Sequence, residues 1–256
     1  MTLRDVARHC NVSISTVSRV LNGTSTVNPE IAERVRKAAA ELGYTPNEAG
    51  RRLRMHVDPD FGPDFSTRQA DHSLEKRAIG HAAAALCPSS AFIALDSGST
   101  VSTMAAALPA DVVVFTNSVA PLQLLARRGI ATHLSGGLYV PAMGALFGPE
   151  TEEFARSRPV SYYFLSSARV DVRTGLFNVN PLTIGVKTAW MDSAKTVVLL
   201  ADHSKFVDIG LRAYKALSEV DVLVTDVIPE EFRDIVLSQV PQVIETADVE
   251  PVRGAR

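Results

Sequence analysis

Between residues 2 and 43 the apolar positions recur at helical spacing, interrupted twice. Leu3, Val6, Ala7 and Cys10 line one face of a first helix, with Thr2 placed to cap its free N–H groups. Asn11-Val12-Ser13 breaks the period, and Ser13 caps a second helix from Ile14 to Leu21 with Val17, Val20 and Leu21 on one face. Asn22-Gly23-Thr24-Ser25-Thr26 reads as a loop. Asn28 then caps a third helix with Pro29 at its first position, running through Ile31, Val35, Ala38 and Leu42 to a stop at Gly43. Beyond Tyr44–Asn47 lies a short basic segment, Glu48–Arg54. Residues 55–70 hold two prolines, a glycine and no period, which predicts a linker.

From Leu74 the pattern changes to short apolar runs alternating with helical stretches. Helices are predicted over Leu74–Leu86, Thr100–Leu108, Ser118–Arg127, Thr183–Ser193 and Pro229–Ser238. Strands are predicted over Ala91–Leu95, Asp111–Thr116, Tyr162–Leu165, Thr196–Leu200 and Asp221–Thr225, near Thr132–Leu134 and at an edge around Gln242–Ile244. Apolar strands alternating with helices imply a doubly wound, mostly parallel α/β sheet, whose ligands bind beyond the carboxyl ends of the strands. The expected fold is thus α/β: an all-α domain (1–47), a connecting segment and linker (48–72), a doubly wound α/β domain (73–245) and a tail (246–256).

Charge sharpens this division. Residues 1–56 hold nine Lys/Arg and five Asp/Glu, a net +4; the whole chain is −2, so the other 200 residues carry −6. A basic head on an acidic body is the footprint of a DNA-reading module joined to a second domain. The 256 residues suffice for one or two domains with a sizeable core. No apolar run approaches the ~20 residues that span a bilayer, and the N-terminus lacks the apolar stretch of a signal peptide. Membrane association is therefore not expected. The two cysteines, Cys10 and Cys87, sit among apolar neighbours without metal-ligand spacing. They read as core thiols of a cytoplasmic protein that uses no metal and no cofactor.

The second helix carries the chemistry of the head. Its outer face shows Ser15, Thr16, Ser18 and Arg19, with Asn22 beyond, short hydrogen-bonding groups that let a helix approach DNA, plus an arginine suited to guanine. On pattern alone these fit a helix-turn-helix and any small polar α-helical domain equally well. The stretches Thr2–Ala7, Val12–Gly23 and Glu33–Asn47 closely resemble the DNA-binding head of the lactose-repressor (LacI) family. That resemblance implies base reading by Ile14, Ser15 and Arg19, and backbone contacts from Thr16, Ser18 and Asn22. Ser13 and Arg51 complete the expected DNA-binding set. The segment Glu48–Arg54 matches the family's hinge helix, which makes Leu53 the candidate minor-groove wedge; local packing of Leu53 is the alternative. Gly50 weakens that helix by ~1 kcal/mol relative to alanine, so it would form on DNA.

The body offers a second site. Asp96-Ser97-Gly98-Ser99-Thr100 lies between a predicted strand and helix, with a glycine for close approach, hydroxyls from Ser99 and Thr100, and free helix N–H groups. It fits an anion cradle or an ordinary helix cap. Lys205 lies just past another strand end, beside Asp202, and Asn117 follows a third; a surface Asp-Lys pair and a helix cap are their plain alternatives. The body resembles the C-terminal sensor domain of DeoR-family regulators, through Glu75–Ile79, Leu95–Thr100, Thr116–Ser118, Gly136-Gly137, Ala201–Phe206 and Val224–Asp226. The resemblance implies an isomerase-like fold and a phosphorylated-sugar site. Its candidate residues are Asp96, Gly98, Ser99, Thr100, Asn117, Gly136, Lys187, Asp202 and Lys205. The chain departs from the family at Ser166–Arg169, where a glycine is usual, and at Leu182–Ile184, where a glutamate is usual.

These readings converge on a transcription regulator, a repressor, with no catalytic residues. Its expected partners are a palindromic double-stranded operator, a phosphorylated-sugar effector and further copies of itself, as a homodimer or homotetramer. The alternative is sugar-phosphate isomerase activity in the body, with Asp96, Asp202 and Lys205 as acid–base groups.

Overall fold

A computed structural model describes residues 9–10, 12–13, 16–17, 20, 29–41, 57–58 and 62–246. The chain divides into two compact units, residues 1–55 and 56–256. In the first, Ser13 caps the second helix as its sequence predicts. Its Oγ accepts from the Thr16 N–H at 3.1 Å, and its carbonyl accepts from Val17 at 3.1 Å. The third helix, α1, spans Pro29–Glu41. The apolar positions at helical spacing meet in one small core, in which Cys10, Val17 and Val20 pack with Ala32, Val35, Ala38 and Ala39.

The second unit is built on a seven-stranded sheet of β3 (Phe92–Leu95), β4 (Val113–Thr116), β5 (Thr132–Leu134), β8 (Val160–Leu165), β11 (Ala194–Leu200), β13 (Val222–Thr225) and β14 (Gln242–Glu245). Their order across the sheet is β14-β13-β11-β8-β3-β4-β5, and every neighbouring pair is parallel. The chain runs outward from β3 to β5, then returns to the other side of β3 and continues from β8 to β14. The winding reverses between β3 and β8, the point where such sheets open a crevice.

Both faces of the sheet are covered, which is why its strands read as continuous apolar runs. Ile93, Leu95, Phe164, Val198 and Leu200 point into one core with Ile79 and Met104. The alternate residues Ala94, Tyr163, Leu165, Val197 and Leu199 point into the other with Trp190 and Phe147. Helix α3 (Ser73–Ala84) supplies the first layer, followed by α4 (Ser99–Ser102) and its 3-10 extension over Thr103–Ala106. Helices α6 (Pro149–Arg156) and α7 (Pro181–Ser193) supply the second. Helices α5 (Leu122–Arg127) and α8 (Arg233–Leu237) complete the set.

Several elements depart from the sequence reading. Residues 62–70, expected as linker, are structured parts of the second unit. Gly62–Pro63 (β2) pairs antiparallel with Val57–Asp58 (β1), and Phe65–Ala70 forms helix α2. Asp64 caps α2 by accepting from the Thr67 N–H at 2.8 Å. A hairpin of β6 (Leu138–Val140) and β7 (Ala145–Phe147) and a small sheet of β9 (Arg169–Asp171), β10 (Gly175–Phe177) and β12 (Phe206–Val207) also went unpredicted. The predicted helices at Thr100 and Ser118 are shorter, because 3-10 and turn geometry takes over part of each.

Candidate functional site

The strands end on polar residues. Asp96 follows β3, Asn117 follows β4, Ser135 follows β5 and Ser166 follows β8; Asp202 lies two residues past β11, and Asp226 directly after β13. Parallel pairing in close register brings these ends to one edge of the sheet. Asp96, Asn117, Ser135, Ser166 and Asp202 therefore line a common polar rim, of the kind the sequence pattern predicted.

At the reversal point the rim is closed by a buried ion pair. Lys187 reaches across from α7, its Nζ bonded to Asp96 Oδ2 and to the Ser166 carbonyl at 2.6 Å. Asp96 Oδ2 also accepts from the Ser166 N–H at 3.1 Å. Both charged side chains are almost wholly buried. Burial pushes the Lys187 pKa down, and the carboxylate of Asp96 opposes that shift. Lys187, a candidate through the family resemblance alone, thus bonds directly to the strand-end candidate Asp96. Gly98 serves a closer purpose than ligand approach. A Cβ there would lie 1.9 Å from the Ser166 hydroxyl, so the serine that departs from the family pattern sits in the space the glycine leaves.

Ser99 and Thr100, in the first turn of α4, are buried. The Ser99 hydroxyl donates to the Arg68 carbonyl at 3.2 Å. Asn117 donates its amide to the Leu146 carbonyl at 2.9 Å, and its buried Oδ1 has no hydrogen-bond partner. Gly136 accepts the Thr151 hydroxyl on its carbonyl at 2.6 Å. Close backbone approach falls instead on Gly137, at φ +114, where a Cβ would meet the Phe147 carbonyl oxygen at 2.5 Å. That packing holds the start of α6 and is structural.

A second group lies past β11. Asp202 is fully buried. Its Oδ1 caps a 3-10 turn by accepting from the Ser204 N–H at 3.2 Å, while Oδ2 is buried without a partner. Lys205 closes that turn, and its ammonium has no hydrogen bond or ion pair among the described residues. Burial lowers its pKa; Asp202 opposes this, and Arg169 and Arg68 add to it. Lys76 is lowered by burial and by Lys205, with its ammonium bound to the carbonyls of Arg68 at 2.5 Å and Asp71 at 2.6 Å. His203, beside them, is raised by its hydrogen bond to Asp226. Arg68 and Lys76 are absent from the sequence-derived set. Lys76 lay in a motif noted only for its resemblance, and Arg68 in the presumed linker.

Of the DNA-contact candidates, Ser13 and Thr16 are described, and their hydroxyls bond each other at 2.8 Å in the helix cap. Ile14, Ser15, Ser18, Arg19, Asn22, Arg51 and Leu53 lie outside the described residues.

Comparison with known proteins fits this anatomy. Residues 71–227 match the model of the DeoR C terminal sensor domain. The chain belongs to the DeoR family. Residues 2–47 match a different model, that of bacterial regulatory proteins of the lacI family, so this DeoR-family regulator carries a LacI-type helix-turn-helix head. It is 26% identical over 225 residues to the L-fucose operon activator of Haemophilus influenzae, covering 87% of this chain and 84% of that one. It is 33% identical over 175 residues to the HTH-type transcriptional repressor GlcR of Bacillus subtilis, 65% of each chain. The ribose operon repressor of H. influenzae is 44% identical over 61 residues, which cover 24% of this chain and 18% of that one. The chain is a DNA-binding transcription regulator, and no helix among the described residues is long and apolar enough to cross a membrane.

Proposed function

We propose that this regulator is a repressor released from, or locked onto, a palindromic operator by a phosphorylated sugar bound at the carboxyl rim of the sheet. The observation that carries the reading is a half-buried cation on the same rim as buried, unused acceptors. Among the described residues the Lys205 ammonium has no hydrogen-bond or ion-pair partner, and Asp202 Oδ2 and Asn117 Oδ1 are buried acceptors without donors. Groups of this kind are costly to bury unmatched, by about 1–3 kcal/mol for a neutral one and more for a charge. A ligand with an anionic end and several hydroxyl donors satisfies both kinds at once. Phosphate suits Lys205 and the hydroxyl of Thr100, and sugar hydroxyls suit Asp202 and Asn117. A relative named for a sugar operon and matched over most of both chains supports the class of ligand.

The chain acts by binding rather than by turnover. Of the acid–base candidates, Asp96 is already held by Lys187 and Ser166. Relatives named as transcription regulators favour the same conclusion. The LacI-type head reads one half-site, so two copies are required for a palindrome, and the oligomer is a dimer or a tetramer.

The test is a screen of phosphorylated sugars for a rise in thermal stability, followed by operator binding with and without the hit. Lys205→Ala and Thr100→Val are expected to abolish the response to the hit while leaving DNA affinity in its absence within about twofold. No stabilisation by any phosphosugar, or turnover of pentose phosphates that Asp202→Ala removes, would reject the reading.

A further inference from the structure

Among the described residues Arg68 has no carboxylate partner. Its Nε donates to the Pro63 carbonyl at 3.2 Å, one Nη lies 3.7 Å from the Met143 Sδ, and the group sits 5.4 Å from the Phe65 ring centre. No Asp or Glu stands within ion-pair distance of it among the described residues. A guanidinium has five N–H donors and no means of shedding its charge, so weak acceptors leave most of its bonding capacity unused. Burial lowers its pKa, which Asp96 and Asp64 oppose from longer range.

Its main chain is tied to the rim from the other side. The Arg68 carbonyl accepts both the Lys76 ammonium at 2.5 Å and the Ser99 hydroxyl at 3.2 Å. Ser99 opens the turn that holds Thr100, and Lys76 and Arg68 each lie close enough to Lys205 to shift its proton affinity or have theirs shifted. Arg68, Lys76 and Lys205 form a cation-rich corner with α2 as one wall. The family match begins at residue 71, so this wall lies outside it.

We propose that Arg68 is a further anion-binding residue, which takes the phosphate of the effector together with Lys205 and thereby pins α2 when the site is filled. This rests on the phosphosugar reading given above. The guanidinium fork suits two phosphate oxygens at once. Because its Nε also holds Pro63 in β2, one side chain joins the ligand to the stretch of chain just ahead of the sensor. Occupancy is then felt by the segment through which any signal to the head must pass. An effector shifts the equilibrium only through contacts that differ between states, and Arg68 supplies one.

The experiment uses the full chain with inorganic phosphate as probe, against chloride at matched ionic strength. It records thermal stability and amide exchange over residues 64–70. The unsubstituted protein is expected to gain stability with phosphate and to slow exchange over 64–70 at least threefold. Lys205→Ala and Arg68→Gln are each expected to abolish both effects, and Arg68→Lys to restore part of the stabilisation without the bidentate slowing of α2. Should Lys205→Ala lose the response while Arg68→Gln keeps it, the role of Arg68 is overturned and the phosphate site stands. If the unsubstituted protein itself shows no response, the site reading fails and this inference with it. Circular dichroism of Arg68→Gln at 25 °C that departs from the unsubstituted spectrum would mark Arg68 as a fold determinant and also overturn the proposal.

Discussion

At the scale of single residues the decisive feature is the Asp96–Lys187 pair, whose members are separated by 91 positions in sequence and bonded at the reversal point of the sheet. Neither charge has water to turn to, so each depends on the other. Removing one partner of a buried pair costs about 3–5 kcal/mol, because the survivor remains charged in a medium that solvates it poorly. Lys187→Met is therefore expected to lower unfolding free energy by about 3–5 kcal/mol. Adding Asp96→Asn should return part of that loss. The amide removes the orphaned charge yet keeps an acceptor for the Ser166 N–H, which the native carboxylate accepts at 3.1 Å. Urea denaturation of the two single variants and the double variant measures this coupling. Strictly additive losses would show that the two groups do not act as a unit.

Among the elements, the small sheet beside the site is held by one carboxylate. Asp171 ends β9, is fully buried, and accepts four backbone N–H groups: Arg173 at 3.2 Å and Thr174 at 3.1 Å on Oδ1, Ile209 at 3.1 Å and Leu211 at 3.0 Å on Oδ2. Burial alone would raise its pKa, but the four bonds outweigh it and hold it down at about 2. A carboxylate depressed in the folded state stabilises the fold above its unfolded value near 3.9. That contribution is lost as pH falls through the window from about 4 to about 2. Asp171→Asn, whose amide cannot accept on both sides, should flatten the stability-versus-pH curve in that window and lower stability at pH 7. Unchanged acid sensitivity in the variant would dismiss the clamp. None of this was visible in the sequence, and the reason is physical. Strands of two or three residues carry little period: β5 was placed, but β6, β7, β9, β10 and β12 left no trace. The strands of the main sheet were visible because burial on both faces makes four to seven successive positions apolar, as in Val197–Leu200. Helix α6 carries start signals in its sequence, Pro149 at its first turn beside Glu150 and Glu152. Helix α2 was hidden by the prolines and glycine before it, although Asp64 three residues ahead of Thr67 is a capping pattern. The strand-end candidates were readable because fold geometry alone sends such residues to one edge. The bond between Asp96 and Lys187 was not, since it depends on a crossing of α7 over the sheet that spacing does not encode.

For the molecule as a whole, charge and core tell the same story of two separable parts. The head unit has its own apolar cluster around Val17 and Val35, and the sensor has two of its own on either face of its sheet. The first 56 residues carry a net +4 and the rest −6. Any duplex affinity must then come from the head, while the acidic body repels DNA and keeps the complex dependent on a limited set of phosphate contacts. A chain shortened to residues 57–256 should unfold in one cooperative transition and keep the response to phosphate, yet bind no duplex. The full chain should lose affinity steeply with salt, by about 10³–10⁵ between 50 and 200 mM if six to ten phosphates are engaged. Fluorescence anisotropy with a labelled duplex across that range, run on both chains, decides the matter. Residual binding by the shortened chain would move the DNA-reading surface into the body. A flat salt dependence in the full chain would mean that the basic head does not grip the phosphate backbone, whatever its resemblance to heads that do.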